Sequence, residues 1–560
     1  MDAVSSPIGA ACTAAALLAA VYFVKQRISY SRRSNVARIP GPPSRSWLLG
    51  NMMDFFLPPE YGTYEMAWQR EYGPVYRLSG CLGTDRLMLS DPLALQALMH
   101  GHDFDHDRVL GTTVGFIFGK DSVIATRGGS NPCLSSPGVE CVSDGDAYIA
   151  SHSTGADHKR LRAALSSMFN AGATRGYVSV VQKAALEVVE FLDSQEVDGR
   201  ATDVCPALHS AALRIISEIV VSDPDAVSTE YSHVNAQLAE LPCNRTPASL
   251  ITECIMSLLP PVFMESMFAY APGSPPSVFR QARDLGTRFG HDIVRRKLEE
   301  AEADGVELDG DVLGEMLKSV RTKGNKHQLT DGLIADQAAV LIFSGQETTA
   351  STLTFSLWEL ARNPELQAEL RDEIVSKADI DPDPSVLENM PLLNAFIKEA
   401  LRLYPAEAST DRTATVDTVL PMSQPIRTPS GEVISEIRIR KGQLVTAAIG
   451  SYQRLESCWG PDAQQFRPSR WLNGENYQAQ TLGAYANLFT FWGGARMCLG
   501  WRLAVLEMQV MIFELLRRFT FSVSPEAEVK VLMGQILVPV YKNKHGKRMK
   551  GIPLLVKRLE

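Results

Sequence analysis

The sequence predicts a mainly α-helical fold with small β-sheets, preceded by a single N-terminal transmembrane helix. The longest helical pattern runs from Asp331 to Arg362, where Asn363-Pro364 ends it, and it is apolar on most faces. Short β-like runs occur near residues 75–78 and 87–90, and strand-like segments fill residues 412–450. The third observation is residues 8–24, which are free of charge and long enough to span a bilayer.

Composition limits the classes of function. At 560 residues, of which 45% are hydrophobic, the chain can bury a large core. A net charge of −9 and a pI near 5.7 argue against a nucleic-acid-binding protein, which is usually basic on at least one domain. Nine cysteines are too few for a disulfide framework, so a reducing compartment is expected. No repeat or linker divides the body, and residues 45–560 are predicted to form one domain.

The apolar N-terminus is interpreted as an anchor. Residues 1–24 are predicted to form a lumenal tip and a transmembrane helix. A cleaved signal peptide is the alternative, but it requires basic residues before the apolar run, where this chain has only Asp2. Basic residues follow the run instead, so the positive-inside rule places the rest of the chain in the cytosol. Residues 25–44 are predicted to be this basic stop and a Pro-rich hinge that is stiff and extended.

Further helices are expected within residues 156–220 and at 364–377, 391–403 and 501–518, and residues 531–558 are predicted to form a hairpin.

Residues 128–155 are rich in Gly, Ser and Pro and lack periodicity. They are interpreted as a disordered insertion or a translated intron. A metal site formed by Cys133, Cys141 and His152 is a third alternative, although their spacing matches no zinc pattern well.

The strongest chemical signal is the segment 491–500, Phe-Trp-Gly-Gly-Ala-Arg-Met-Cys-Leu-Gly. A haem iron that activates oxygen benefits from a thiolate ligand, here Cys498. Glycines such as Gly494 and Gly500 let the loop turn tightly and bring its amides to the sulfur. Arg496 suits a haem propionate, and Phe491 can shield the sulfur from water. The alternative, an ordinary buried cysteine beside a Gly-rich turn, does not explain five fixed residues at these spacings.

This segment resembles the haem-ligand loop of the cytochrome P-450 superfamily, and the whole chain resembles its microsomal, fungal-type haem-thiolate monooxygenases. The resemblance implies the P-450 fold and haem b with Cys498 as the axial ligand of the iron. It also implies a charge network of Glu399, Arg402 and Arg470 that holds the haem side of the fold. The Glu-x-x-Arg pattern occurs twice more, at residues 359–362 and 514–517, but only the copy at 399–402 precedes Leu-Tyr-Pro.

The long helix carries Ser-Gly-Gln-Glu-Thr-Thr at residues 344–349, similar to the oxygen-activation motif of the family. Oxygen activation requires protons, which a hydroxyl and a carboxylate can relay. Thr348 is expected to face the iron, Glu347 to link it to water, and Gly345 to leave room for dioxygen. Ser344 departs from the family, which more often has Ala or Gly there. A solvated helix face is the alternative, and the apolar surroundings disfavour it.

The resemblance also supplies cations for the haem propionates. His158 and Arg162 match an aromatic-x-x-x-Arg helix, with His in place of the common Trp, and Arg412 lies at the position of another propionate ligand. The alternative is that any of them is a surface charge. The candidate pocket residues, by analogy alone, are Val114, Phe116, Phe343, Ala408 and Leu537.

The function implied is insertion of one oxygen atom into an apolar small molecule in secondary metabolism, with a terpenoid as the favoured substrate. Electrons are expected from NADPH through a membrane reductase, for which Lys159, Arg160 and Arg502 form a docking patch, and cytochrome b5 is a further candidate partner. The chain is placed in the endoplasmic reticulum membrane. Two alternatives remain: a reductase-independent isomerase or dehydratase of the same fold, and a non-catalytic haem sensor. An intact Glu347-Thr348 pair argues against the first.

Overall fold

The computed structural model describes the chain from residue 35 onwards, with gaps. The described residues are 35–126, 155–195, 201–304, 308, 310–321, 329–376, 382–473, 482–543 and 545–559. The predicted anchor, residues 1–24, and all but the last residue of the predicted insertion 128–155 lie outside them. Among the helices that are described, none combines the length and the apolar character needed to cross a bilayer.

Helices make up most of the described fold. In chain order they are α1 Met52–Phe56, α2 Glu65–Tyr72, α3 Pro92–His100, α4 Arg108–Phe118, α5 Gly155–Ser166, α6 Ala171–Gly176, α7 Val178–Ser194, α8 Cys205–Val221, α9 Thr229–Glu240, α10 Pro247–Met256, α11 Pro261–Tyr270, α12 Pro276–Asp304, α13 Val312–Arg321, α14 Asp331–Arg362, α15 Pro364–Val375, α16 Pro384–Glu388, α17 Pro391–Leu403, α18 Ile449–Tyr452, α19 Glu456–Trp459 and α20 Trp501–Leu516. The mainly helical class is therefore confirmed.

The long helix α14 runs through the centre of the fold and has the predicted bounds. Thr330 caps its start, because the side chain accepts a hydrogen bond from the amide of Leu333 at 3.2 Å. Its end coincides with Asn363-Pro364, as expected for a residue that precedes proline. Buried residues occur all around the helix, which packs mainly against α8 and α12. A helix of 32 residues is about 48 Å long and therefore crosses the whole domain.

The strands form small sheets around this helical body. They are β1 Val75–Ser79, β2 Asp85–Leu89, β3 Phe104–His106, β4 Ala201–Asp203, β5 Thr410–Ala414, β6 Thr418–Arg427, β7 Val433–Ile439, β8 Leu444–Ala447, β9 Phe519–Val523, β10 Val529–Met533, β11 Leu537–Lys542, β12 Arg548–Lys550 and β13 Pro553–Arg558. One sheet has the order β1-β2-β8-β5-β3, and β6 pairs with β7. In the antiparallel β3–β5 pair, His106 lies opposite Arg412.

The C-terminal prediction was incomplete. A single hairpin was expected over residues 531–558, but β10, β11 and β12 form one sheet while β13 joins β4 and β9 in another. The buried side chains of Leu554 and Val556 on β13 explain this, because they complete the main core beside Phe521 of β9. Strand β4 also interrupts the stretch 156–220, which was predicted as helices alone. A disulfide joins Cys81 to Cys254, a pairing that the cysteine count did not predict.

Candidate active site

Cys498 lies in a tight loop that leads into α20. Its amide donates a hydrogen bond to the carbonyl of Phe491 at 2.9 Å, and the amide of Met497 donates to the carbonyl of Gly494 at 3.3 Å. Gly494 has φ +58°, and a Cβ atom there would lie 2.7 Å from the carbonyl oxygen of Met99, so only glycine fits. Helix α20 begins at Trp501, three residues after the cysteine, as predicted.

Cys498 is exposed, yet protein atoms surround its thiol closely enough to desolvate it. Among the described free cysteines it alone is exposed, whereas Cys205 and Cys458 are buried. Even so, burial raises the pKa of the Cys498 thiol, while a hydrogen bond from the amide of Gly500 and the charge of Arg162 lower it. Exposure together with desolvation is expected of a thiol on the wall of a cavity. The amide and the arginine offset only part of the rise, so the pKa of the free thiol stays above its ordinary value, and binding of a metal would select the thiolate form.

Three predicted arginines gather near this space from separate elements. Burial lowers the pKa of Arg162 on α5, of Arg412 on β5 and of Arg496 in the loop, the last to about 10. Arg162 and Arg412 each lower the pKa of Arg496 further, so the three positive charges repel one another. Asp105, Glu407 and Asp411 offset part of this, although Asp411 is also paired with Arg86 at 2.7 Å. Desolvated cations that repel one another favour a further anionic partner, and the two propionates of a haem fit that requirement.

Two histidines belong to the same cluster. His158 is 3% exposed, and burial followed by Arg496 and Arg162 lowers its pKa to about 4, so the alternative of a surface charge is wrong. His106, opposite Arg412, was not predicted. Its Nδ1 is buried without a hydrogen-bond partner among the described residues, and burial, Arg412, Arg496 and His158 lower its pKa. A neutral imidazole can donate one hydrogen bond to an anion. No sequence motif marks residues 104–106, and only the β3–β5 pairing reveals this residue.

The predicted charge network is present. Nε and Nη2 of Arg402 donate to the two carboxylate oxygens of Glu399 at 2.9 and 2.8 Å, and Nε of Arg470 donates to Oε1 of Glu399 at 2.9 Å. All three side chains are almost completely buried. Nη1 of Arg402 also donates to the carbonyls of Gln453 and Ala463, each at 2.6 Å. The network therefore ties α17 to the chain that leads toward the cysteine loop.

The two other Glu-x-x-Arg copies form weaker pairs. Arg362 donates to Glu359 at 3.0 Å, but 49% of the arginine side chain is exposed. Arg517 lies 3.1 Å from Glu514 with 20% of its side chain exposed. Burial of both partners distinguishes the copy at 399–402, in agreement with the prediction.

Helix α14 presents Ser344 and Thr348 on one face. The hydroxyl of Thr348 donates to the carbonyl of Ser344 at 2.9 Å, one turn earlier, and Ser344 is exposed. The Cα atom of Gly345 faces α8 instead, because a Cβ atom there would lie 2.5 Å from Cγ1 of Ile216. The expectation that Gly345 leaves room for dioxygen is therefore wrong. The glycine permits close packing of α14 on α8, and Ser344 is the small residue beside Thr348.

Glu347, which was expected to link Thr348 to water, is buried and paired with two cations. Its side chain is 2% exposed, and Oε2 lies 3.2 Å from Nε2 of His209 and 3.4 Å from Nζ of Lys550. Burial alone would raise the pKa of Glu347, but His209 and Lys550 reverse this and hold the pKa below its usual range. The carboxyl group is therefore ionised. Sequence reasoning missed both partners, since α8 and β12 are far from α14 along the chain.

The predicted pocket residues divide into two groups. Val114, Phe116 and Phe343 belong to one apolar cluster, where the ring of Phe343 lies 5.2 Å from that of Phe118. Ala408 and Leu537 are buried in the main core instead. The cluster at α4 and α14 is thus an apolar wall close to Ser344.

Comparison with known proteins agrees with this geometry. The family model described as cytochrome P-450 matches residues 135–546. The chain belongs to the cytochrome P-450 family. It is 28% identical over 550 residues to the monooxygenase claU of Ampulloclitocybe clavipes, with 94% of each chain covered. It is 25% identical over 567 residues to cytochrome P-450 monooxygenase 205 of Postia placenta, with 98% of this chain and 97% of that protein covered.

Membership of the cytochrome P-450 family makes the chain a monooxygenase and haem b its cofactor, held through a cysteine thiolate. The residues fit that group on two independent grounds. Cys498 is the one exposed free cysteine of the described residues, and the buried arginines around Arg412 repel one another, so they would be stabilised by the propionates.

Proposed function

We propose that this chain inserts one oxygen atom into an apolar small molecule at a haem held by Cys498, with electrons from NADPH delivered by a separate reductase. The observation that carries the proposal is the Cys498 thiol itself. It is accessible but desolvated, and it lies beside Arg162 and a hydrogen-bonding amide. Haem bound through a thiolate activates dioxygen, and the protein must supply protons, an apolar site and an electron entry.

The proton supply is assigned to Thr348 and Glu347. The hydroxyl of Thr348 donates a hydrogen bond to the carbonyl of Ser344, and its oxygen can still accept a hydrogen bond from water. Glu347 is the neighbouring ionised carboxylate and can take up and release a proton. The two side chains therefore have the hydroxyl and the carboxylate that a proton relay requires.

The substrate is proposed to be a terpenoid or a similar polycyclic compound. The aromatic and aliphatic wall of Val114, Phe116 and Phe343 offers dispersion contacts and few polar groups. The relatives with 94% coverage come from a fungus, and secondary metabolism is the proposed setting. Electron entry is proposed at the basic residues Lys159, Arg160 and Arg502, where the reductase, with cytochrome b5 as a further candidate, would dock.

The chain is proposed to be anchored in the endoplasmic reticulum membrane by residues 1–24, with its catalytic body in the cytosol. The hinge after the basic stop is attached to this body, because Ile39 is buried and the carbonyl of Pro40 accepts a hydrogen bond from the amide of Arg77 at 3.0 Å. Helix α11 exposes 69% of Val262 and 61% of Phe263, a surface suited to lipid. Substrate is proposed to enter from this side.

The topology has a direct test in the sequon Asn244-Arg245-Thr246. Asn244 is exposed, so burial does not protect it from modification. We predict that it carries no glycan in a fungal host, because glycosylation occurs in the lumen and this residue is placed in the cytosol. A mobility shift on glycosidase treatment would show the opposite orientation.

Two alternatives are separated from the proposal by one assay. Purified chain and a P-450 reductase are mixed with NADPH, and oxygen uptake is recorded. A monooxygenase consumes NADPH and oxygen together, with a dependence on the reductase. An isomerase or dehydratase of the same fold would act without NADPH, and a haem sensor would consume neither.

A further inference from the structure

The loop between α17 and β5 carries a carboxylate, Glu407, that the sequence patterns did not single out. Ala406 packs against the cluster that contains Ile536 and Val538, and Ala408 is buried in the main core, whereas Glu407 between them is only half-buried. No described residue donates a hydrogen bond to this carboxylate or forms an ion pair with it. Since carboxylates inside a fold are normally paired, Glu407 presents an acceptor that the described residues do not use.

The backbone of this loop is fixed beside the oxygen side of the site. The hydroxyl of Thr352 on α14 donates a hydrogen bond to the carbonyl of Tyr404 at 3.4 Å. The amide of Leu537 on β11 donates to the carbonyl of Ala406 at 2.8 Å. Thr352 lies one helical turn after Thr348, to whose carbonyl its hydroxyl also donates at 3.3 Å. The loop is therefore attached to α14 close to Thr348.

Glu407 borders the same space as Cys498. Burial raises the pKa of Glu407 although its side chain is only half-buried, as expected of a carboxyl group on the wall of a cavity. Its charge also raises the pKa of the Cys498 thiol and opposes the effect of burial on the pKa of Arg412. Because such effects act over short distances, Glu407, Arg412 and Cys498 lie around one cavity.

Glu407 is not needed to hold Arg412 in place. Nη1 of Arg412 donates to Oγ1 of Thr410 at 2.9 Å and to the carbonyl of Asp411 at 2.8 Å. The guanidinium also lies over the ring of Trp492, 4.7 Å from its centroid. These contacts fix the arginine without a direct contact from Glu407, so the carboxylate can bind a molecule in the cavity.

We propose that Glu407 determines substrate specificity by accepting a hydrogen bond from a hydroxyl group on an otherwise apolar substrate. A carboxylate only accepts hydrogen bonds, so its partner must carry a donor. A hydroxyl suits the cavity better than an ammonium, because Arg162 and Arg412 already repel Arg496 there and a further cation would add to this repulsion. The inference rests on the proposed function and narrows its substrate class to apolar compounds that bear a hydroxyl group.

Matched pairs of alcohol and hydrocarbon test this specificity by equilibrium binding. The haem-loaded chain is titrated with borneol and camphane, and with cedrol and cedrane, and binding is measured by calorimetry and by the shift of the haem absorption. We expect the alcohol of at least one pair to bind about tenfold more tightly than its hydrocarbon, because a hydrogen bond to a charged acceptor contributes at least that factor. A chain that prefers neither alcohol would overturn the proposal.

Glu407→Met and Glu407→Gln identify the group that is responsible. Methionine removes the charge and the strong acceptors at similar length, so the preference for the alcohol should disappear while the hydrocarbon binds at least as tightly. Glutamine keeps one acceptor oxygen without the charge, so the preference should fall only in part. Unchanged preference in Glu407→Met would contradict the proposal.

Asp411→Asn is the matched control. It removes another carboxylate that interacts with Arg412, but one that already pairs with Arg86 at 2.7 Å. This variant should keep the preference for the alcohol. If Glu407 only supported Arg412, both Glu407→Met and Asp411→Asn would lower haem content and weaken alcohol and hydrocarbon equally, and this result would refute a role in specificity.

Bornylamine separates a hydroxyl site from a cation site on the same skeleton. We expect bornylamine to lose no affinity when Glu407 is replaced by Gln, whereas borneol does. An amine that binds more tightly than borneol and loses this advantage in Glu407→Gln would overturn the assignment of a hydroxyl group.

The same preparations distinguish this inference from the proposed function. The thiolate spectrum of the carbon-monoxide complex and NADPH-driven reduction of the haem by the reductase test the proposed function. A parent chain that shows both but prefers neither alcohol would overturn the role of Glu407 alone. A parent chain without the thiolate spectrum would overturn the proposed function, whatever its affinity for the alcohols.

Discussion

The two sides of the proposed haem site are encoded in different ways. On the thiolate side, one loop of ten residues carries Cys498, the turn at Gly494 and the amide of Gly500. On the oxygen side, Glu347 depends on Lys550, which lies 203 residues further along the chain, and on His209 of a third element. The first side is defined by local backbone geometry, whereas the second is assembled by tertiary packing.

This difference determines what substitutions should do. In the loop, backbone hydrogen bonds and the positive φ of Gly494 fix the position of Cys498, so the loop conformation depends little on side chains. Around Glu347, side chains from separate elements make the contacts, so a change in any of them alters the charge that the carboxylate experiences. Four substitutions test the two sides, in order of decreasing effect.

Cys498→Ser should have the largest effect. The variant should fold but lose turnover completely, together with the spectrum of a reduced, carbon-monoxide-bound haem thiolate, because an alcohol is a poor substitute for the thiolate. Absorption spectroscopy of the purified protein measures this. Cys458→Ala is the matched control, since it removes a buried sulfur away from the loop and should keep the spectrum. A thiolate spectrum in Cys498→Ser would mean that another cysteine binds the iron.

Arg402→Gln tests the network that supports the thiolate side. The substitution removes one of the two arginines that pair with the buried Glu399, and it leaves the buried carbonyls of Gln453 and Ala463 without their donor. We therefore expect the free energy of unfolding to fall by about 3–5 kcal/mol. Arg362→Gln is the control in a half-exposed copy of the same pattern and should cost less than about 1 kcal/mol. Chemical denaturation measures both. Equal losses would show that burial does not distinguish the copies.

Thr348→Ala tests the oxygen side. Haem content and substrate binding should persist, but product should fall about tenfold while electrons from NADPH appear as hydrogen peroxide, because proton delivery is disrupted and electron delivery is not. The peroxide yield per NADPH measures this. Thr349→Ala, on the buried neighbour, should stay near the parent value. The reverse ranking of the two variants would transfer the relay to Thr349.

Gly345→Ala should have the smallest effect and act on stability. Its new methyl group would lie 2.5 Å from Cγ1 of Ile216, and such overpacking costs about 1–3 kcal/mol. Combining it with Ile216→Ala should recover part of the loss, because the clashing atom is then absent. Additive losses in the double variant, measured by denaturation, would contradict close packing at this position.

The sequence predicted the tight turn at Gly494 and the helix that begins after Cys498, because these depend on contiguous residues and on local backbone geometry. It also predicted the bounds of α14 and the network of Glu399, Arg402 and Arg470. It failed where tertiary contacts decide. The direction of Gly345 depends on α8, the ionised state of Glu347 depends on α8 and β12, and His106 is placed by strand pairing with β5. None of these contacts leaves a local pattern in the sequence.

The central claim is oxygen insertion at a haem held by Cys498, and isotope labelling tests it most directly. A host that makes apolar metabolites expresses the chain or Cys498→Ser with a P-450 reductase under ¹⁸O-labelled dioxygen, and whole-cell metabolites are compared by mass spectrometry. We predict new metabolites that carry labelled oxygen with the parent chain and none with Cys498→Ser. New metabolites without label, formed equally by both chains, would contradict the account.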